Sequence, residues 1–227
     1  MAEDEELVDA PRVVGVLSSL LERVVERNDA VAYELASADA PASSMALAPA
    51  SAFRATVRPE ISVRAYMARI ARFAGCSPAC YVVAYVYLDR LLRRGGRRGR
   101  GALAVDSYSV HRLLITAVLA AVKFMDDVCY NNAYFARVGG ISLPEMNYLE
   151  VDFLFGVGFD LNVSPETFGQ YCSVLQAEML RLELDKTTMT TAAAVAAGPR
   201  LHSCCLSEDD GTTTTTTSSS SQQQLAA

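Results

Sequence analysis

A few side chains in this sequence are of types that could do chemistry, and their spacing decides which chemistry. Asp126-Asp127 and Asp152 offer carboxylates, and Cys76-x₃-Cys80 offers two thiols. General acid–base work needs two acids facing each other across a cleft. Asp126 and Asp127 are adjacent at a helix end, which reads more simply as a polar terminus, and nothing nearby adds a nucleophile. Gly139-Gly140 is a turn and not a phosphate cradle. Zinc sites use paired ligands, C-x₂₋₄-C with a second pair or with histidines at set spacing. Cys76 and Cys80 have no second pair nearby, and His111 and His202 lie far apart. No catalytic residue, metal or cofactor is expected, and the thiols read as small hydrophobes or inert surface groups.

Three other charges stand out because they interrupt apolar surroundings, where charge is costly unless paired. Asp89 follows the run Cys80–Leu88 and precedes Leu91 and Leu92. Glu150 falls within the apolar spacing Met146, Leu149, Phe153, Val157. Lys123 ends an almost wholly apolar segment. Each is either a solvated or internally paired charge, or a group held for a partner.

The elements that carry these residues read as helices throughout. Val63, Met67, Ile70 and Ala74 form one stripe over residues 61–74. Ser77-Pro78 caps a second helix reaching about Arg94, with proline where no donor is needed. Asp106-Ser107 opens a third, ending near Asp126. Ser142-Leu-Pro-Glu145 fits a capping box for a helix to about Phe159. Ser164-Pro165 starts one reaching about Leu182. The third helix is apolar nearly all round, as a helix at the centre of a bundle must be. Its one exception is the stripe Arg112, Thr116, Ala120, Lys123, whose small residues leave room for something to approach.

Ahead of this block, residues 11–35 place Val13, Leu17, Leu20, Leu21 and Val24 on one side of a lone amphipathic helix. An Ala/Ser/Pro-rich linker over 36–57 follows, and residues 1–10 form an acidic disordered start. Residues 184–227, ending in Thr, Ser and Gln runs, read as a disordered low-complexity tail. Residues 58–183 hold the folded block. The fold class is all-α.

Of 227 residues, 20 are Lys or Arg and 26 are Asp or Glu, for a formal net charge of -6. That balance speaks against a general nucleic-acid binder. The longest apolar stretch, Leu113–Val122, is far short of the roughly 20 residues needed to span a bilayer. The acidic start is unlike a secretory signal, so an intracellular protein in nucleus, cytoplasm or both is expected.

The motifs Tyr87-Leu-Asp-Arg90, Ala121-Val-Lys-Phe-Met-Asp-Asp127, Tyr130-Asn-Asn-Ala-Tyr134, Val138-Gly-Gly-Ile141 and Leu149-Glu-Val-Asp-Phe-Leu154 closely resemble the plant P-type (U-type) cyclins. These are themselves similar to fungal cyclins that signal phosphate status. The resemblance runs from about Ile61 to Met179. It implies a single five-helix cyclin box with an added N-terminal helix and a C-terminal helix. It also implies a regulatory subunit, not an enzyme, that binds and activates a cyclin-dependent protein kinase in cell-cycle or phosphate signalling.

By motif, the family's kinase-binding pair falls on Lys123 and Glu150, two of the three misplaced charges. Asp89 matches an aspartate that cyclins pair with an arginine of the first box helix. Arg64 is the candidate partner and Arg69 the alternative. A departure from the family is the Gly-rich run with Arg93, Arg94, Arg97, Arg98 and Arg100, either a basic patch for import or an acidic partner, or a flexible solvated loop. No second box is visible, and Leu17, Leu20 and Val24 could assist the smaller interface. The competing reading is a cyclin-fold transcription scaffold on promoter complexes or nucleic acid, which would call for a basic face and a second repeat.

Overall fold

The computed structural model describes residues 11–37, 51–95, 103–127 and 130–196. They form seven helices and no strands: α1 Arg12–Ser37, α2 Val63–Ala74, α3 Pro78–Gly95, α4 Val110–Met125, α5 Asn132–Gly139, α6 Leu143–Val157 and α7 Pro165–Ala196. The compact unit runs through Thr187. The helical trace of α7 continues past the expected end near Leu182, and the Thr/Ser/Gln run lies outside the described residues. So do residues 1–10.

Burial of α4 organises the rest. From Val110 to Val122 every side chain except Arg112 is buried, and α2, α3, α5 and α6 all pack on it. Thr116, inside this helix, directs its hydroxyl to the Arg112 carbonyl at 2.7 Å, so its polar group is satisfied without leaving the helix. Thr116 and Ala120 are buried by the chain itself. The room these small residues leave is therefore closed within the fold, not kept for a partner.

Local signals set most boundaries. Ser62 Oγ accepts from Ala65 N at 3.1 Å and starts α2, and Ser164 Oγ accepts from Thr167 N at 3.2 Å to start α7. Ser142 Oγ accepts from Glu145 N at 3.3 Å, but Glu145 turns away from the reciprocal half of a capping box to meet Arg112 at 2.6 Å. The long-range ion pair outcompetes the local one. α4 begins three residues later than Asp106-Ser107 suggests, because Asp106 accepts from Tyr108 N at 2.9 Å and shapes a turn first. α5, eight residues long, has no counterpart among the helices read from periodicity.

Two further differences concern the N-terminal half. The buried side of α1 is Val14, Leu17, Leu21 and Val25, with Val24 exposed. The stripe is turned by about one position from the sequence reading. The end of the expected linker is domain: Phe53 is buried and meets Phe153 edge-on at 6.2 Å, and Ala55 N donates to the Tyr108 carbonyl at 2.8 Å. The remaining residues, 38–50, lie outside the described residues.

The motif Tyr87–Arg90 ties α3 to the segment between α6 and α7. Tyr87 donates its hydroxyl to the Leu161 carbonyl at 2.6 Å. Arg90 donates to the carbonyls of Asp160 and Asn162 at 2.7 and 3.0 Å. α3 and α6 approach so closely that a Cβ on Gly156 would stand 2.3 Å from Leu91 Cδ1.

His111 is buried at the start of α4, with Nε2 2.9 Å from the Ile61 carbonyl, so that nitrogen carries the proton. Its Nδ1 is buried with no partner among the described residues. Burial holds its pKa below the usual 6.5, the positive charges of Arg112 and Arg58 add to this, and the Ile61 bond opposes it.

Two outcomes are expected. Gly156→Val overpacks a buried Leu91 and lowers stability by about 1–3 kcal/mol in thermal or denaturant unfolding. Below pH 6.5 the unfolded chain takes up a proton that folded His111 resists, so this group's contribution, complete above pH 6.5, is lost as pH falls. Guanidinium midpoints between pH 7.5 and 5.5 are expected to fall less in His111→Gln than in the parent.

Candidate functional site

The C-terminal end of α4 emerges from the core at Lys123, and α6 brings Glu150 to it. Lys123 Nζ lies 2.6 Å from Glu150 Oε1, with side chains 35% and 16% exposed respectively. Glu150 borders the buried stripe Met146, Leu149, Phe153, Val157 of α6, which explains how a charge fits the apolar spacing: it stands at the edge of the stripe, not inside it. At the other end of the same helix contact Arg112 meets Glu145. Both glutamates lie on α6 and both cations on α4, so two ion pairs bracket the packing of one helix on the other.

The second carboxylate oxygen of Glu150 is also engaged. Asn132, in the first turn of α5, donates from Nδ2 to Glu150 Oε2 at 2.7 Å and to Asn147 Oδ1 at 2.8 Å. Sequence reading did not single out Asn132, although it sits inside the Tyr130–Tyr134 motif.

Exposed apolar side chains follow Lys123 on α4 and, separately, line the outer side of α6. Phe124 and Met125 follow Lys123 directly, Tyr148, Val151 and Phe155 recur at helical spacing along the outer side of α6, and Phe159 follows just beyond its end; all six are exposed. Phe155 and Phe159 meet edge-on at 5.1 Å. Phe159 holds φ +56°, a left-handed conformation that costs a bulky residue about 1 kcal/mol or more. A polar pair with exposed aromatic and aliphatic groups on the two helices that carry it has the make-up of a protein interface. Periodicity alone could not find this stripe, because it scores only the side facing the core.

The expected Arg64–Asp89 pair is not formed. Asp89 takes Arg93 at 2.8 Å, one helical turn on, and accepts from the Tyr171 hydroxyl of α7. Arg64 reaches α1 instead, with its guanidinium 3.2 Å from Ser19 Oγ and 4.0 Å from Glu22 Oε2. Arg69 donates to the Arg137 carbonyl at 3.1 Å. Asp89 finds a cation one turn along its own helix, while α1 brings a hydroxyl and an acid against Arg64, so neither residue needs the other. Asp89 is 29% exposed and does not sit in a buried ion pair. The Tyr171 hydroxyl is pushed up to about 12, first by burial and then by the Asp89 bond and charge.

The proposed basic patch divides. Arg93 is held by Asp89. Arg94 donates to the Val157 carbonyl at the end of α6 and to Asp160 Oδ2 at 3.0 Å. Arg97, Arg98 and Arg100 lie outside the described residues. Among the described residues no group of three or more His, Cys, Asp or Glu is placed to hold a metal ion, and no helix is long and apolar enough to cross a membrane.

A family model described as Cyclin matches residues 11–161, the stretch that contains α1 to α6. The chain belongs to the cyclin family. This cyclin is 64% identical over 173 residues to Cyclin-P4-1 of Oryza sativa subsp. japonica, covering 76% of each chain. To Cyclin-U4-2 of Arabidopsis thaliana it is 50% identical over 170 residues, covering 75% of this chain and 72% of that one. It is therefore akin to plant P-type and U-type cyclins, and its role is regulatory.

The Asp89 assignment has a direct check. A double-mutant cycle of Asp89→Ala with Tyr171→Phe is expected to show coupling of about 1 kcal/mol, the size of one hydrogen bond. The same cycle with Arg64→Ala is expected to show none.

Proposed function

We propose that this cyclin binds and activates a cyclin-dependent protein kinase through the surface centred on Lys123 and Glu150. The observation that carries the reading is one polar pair at the meeting point of α4 and α6, with exposed Phe124 and Met125 directly after Lys123. Lys123 spends one N–H on Glu150 and keeps two for acceptors on a partner. Glu150 retains lone pairs for donors. Such charge-assisted bonds are directional and select one placement of a partner helix over another. Phe124 and Met125, next to Lys123, supply apolar anchors of the kind from which interfaces draw most of their energy.

On the kinase side, positioning the regulatory helix brings together the enzyme's own Lys–Glu ion pair, which organises ATP for phosphoryl transfer. The chemistry stays with the kinase, and the cyclin contributes placement. α1 contributes indirectly: Leu17 is part of the core, so this helix stiffens the box and does not offer that residue to the kinase. The reading extends to cell-division or phosphate signalling in nucleus, cytoplasm or both.

The test is titration of a recombinant plant cyclin-dependent kinase with the parent and with Lys123→Ala/Glu150→Ala, reading affinity and histone phosphorylation together. Truncating hydrogen-bonded charges at an interface costs about 2–5 kcal/mol, so affinity is expected to fall by roughly 30-fold or more. The melting temperature is expected to move little, because partly exposed ion pairs contribute about 0–1 kcal/mol to folding. Undiminished kinase binding by a folded double variant would remove this surface from the proposal.

A further inference from the structure

Asn132 forms the third side of the Lys123–Glu150 cluster, and its amide is set to serve Glu150 at its own expense. Its Nδ2 makes both hydrogen bonds, to Glu150 Oε2 and to Asn147 Oδ1. Its Oδ1 is buried with no hydrogen-bond partner among the described residues. Turning the amide over would aim Oδ1 at a carboxylate that can only accept, so the orientation is dictated by Glu150. A buried acceptor left unsatisfied is uncommon and destabilising. The arrangement gives up folding stability in order to hold one carboxylate oxygen, which is how functional sites depart from otherwise consistent design.

We infer that Asn132 is a positioning residue for kinase binding, holding the Glu150 carboxylate so that Lys123 keeps N–H groups for the partner. This rests on the reading of Lys123 and Glu150 given above. The geometry supplies the reason. With Oε2 held by a neutral amide, Lys123 meets the carboxylate through Oε1 alone. Without Asn132 the carboxylate turns about its own axis, and the ammonium closes on both oxygens. The pair then satisfies itself and turns away from a partner. The amide comes from α5 and the carboxylate from α6, so the bond also fixes the short helix beside the site. A neutral donor is required there: a lysine would compete with Lys123, and a carboxylate would repel Glu150.

The test uses the full chain with Asn132→Ala and Asn132→Asp, titrated against a recombinant plant cyclin-dependent kinase at pH 7.5 and 5.5. Asn132→Ala is expected to weaken binding about tenfold with little change in melting temperature. Asn132→Asp is expected to be weaker still at pH 7.5 and to recover towards the parent at pH 5.5. Two carboxyls in contact share a proton as pH falls, and the protonated one then donates to its neighbour as the amide did. A structural role alone would not produce that pH dependence. Parent affinity in Asn132→Ala, or a loss in Asn132→Asp with no more pH dependence than the parent shows, would overturn the inference. If the Lys123→Ala/Glu150→Ala variant loses the kinase while Asn132→Ala keeps it, the contact surface stands and only the role of Asn132 falls. If that double variant binds like the parent, the surface falls and the role of Asn132 with it.

Discussion

The burial of α4 from Val110 to Val122 is the constraint on which the rest of this molecule depends. A helix that is apolar on every side has to be enclosed, and α2, α3, α5 and α6 enclose it. Its two charged residues, Arg112 and Lys123, can reach solvent only where neighbouring helices let them out. Both do so against α6, through Glu145 and Glu150. The surface proposed for the kinase is therefore a consequence of the core. Lys123 is presented at a fixed place because thirteen positions before it, Val110 to Val122, have almost nowhere else to go.

This arrangement separates stability from recognition. The interior is held by aliphatic and aromatic packing, with few buried polar groups. Loss of a partly exposed ion pair at the rim has a small effect on folding, since solvent screens it. The same pair at a desolvated interface gains in strength as water leaves. The α6 stripe obeys the same division. Its inner side, Met146, Leu149, Phe153 and Val157, fills the core, while its outer side carries Tyr148, Val151 and Phe155 into solvent. A helix apolar on two sides is costly to leave half exposed, and Phe159 adds backbone strain at its end.

The motifs shared with plant cyclins have unequal roles. Tyr87–Arg90 is architectural: its hydroxyl and guanidinium groups bind carbonyls of the segment leading into α7. Val138-Gly139-Gly140-Ile141 ends α5, with Gly140 in the left-handed conformation, φ +70°, that closes the helix. Ala121–Asp127 and Leu149–Leu154 hold the Lys123–Glu150 pair. Tyr130–Tyr134 joins the two roles, since Asn131 caps α5 and Asn132 reaches Glu150.

Much of this was decided by sequence alone. Cap residues, proline in the first turn and the all-round apolar helix are local signals, and they set the all-α class and the starts of most helices. The charge inside an apolar run, Lys123 or Glu150, is also local, because its cost can be read without knowing its partner. Pairing is different. Asp89 was assigned to Arg64, yet it binds Arg93 four residues on and Tyr171 from a distant helix, while α1 places Ser19 and Glu22 against Arg64. Asn132 and Glu150 stand 18 residues apart on two helices, and the outer aromatic stripe of α6 has no periodic signature that distinguishes an exposed apolar side from a buried one. Eight residues were too few for α5 to show a period, and Phe53 reads as linker until Phe153 is placed beside it. Which residues are costly to leave alone is written along the chain. Which neighbour relieves that cost depends on how helices cross, and only the tertiary structure decides that.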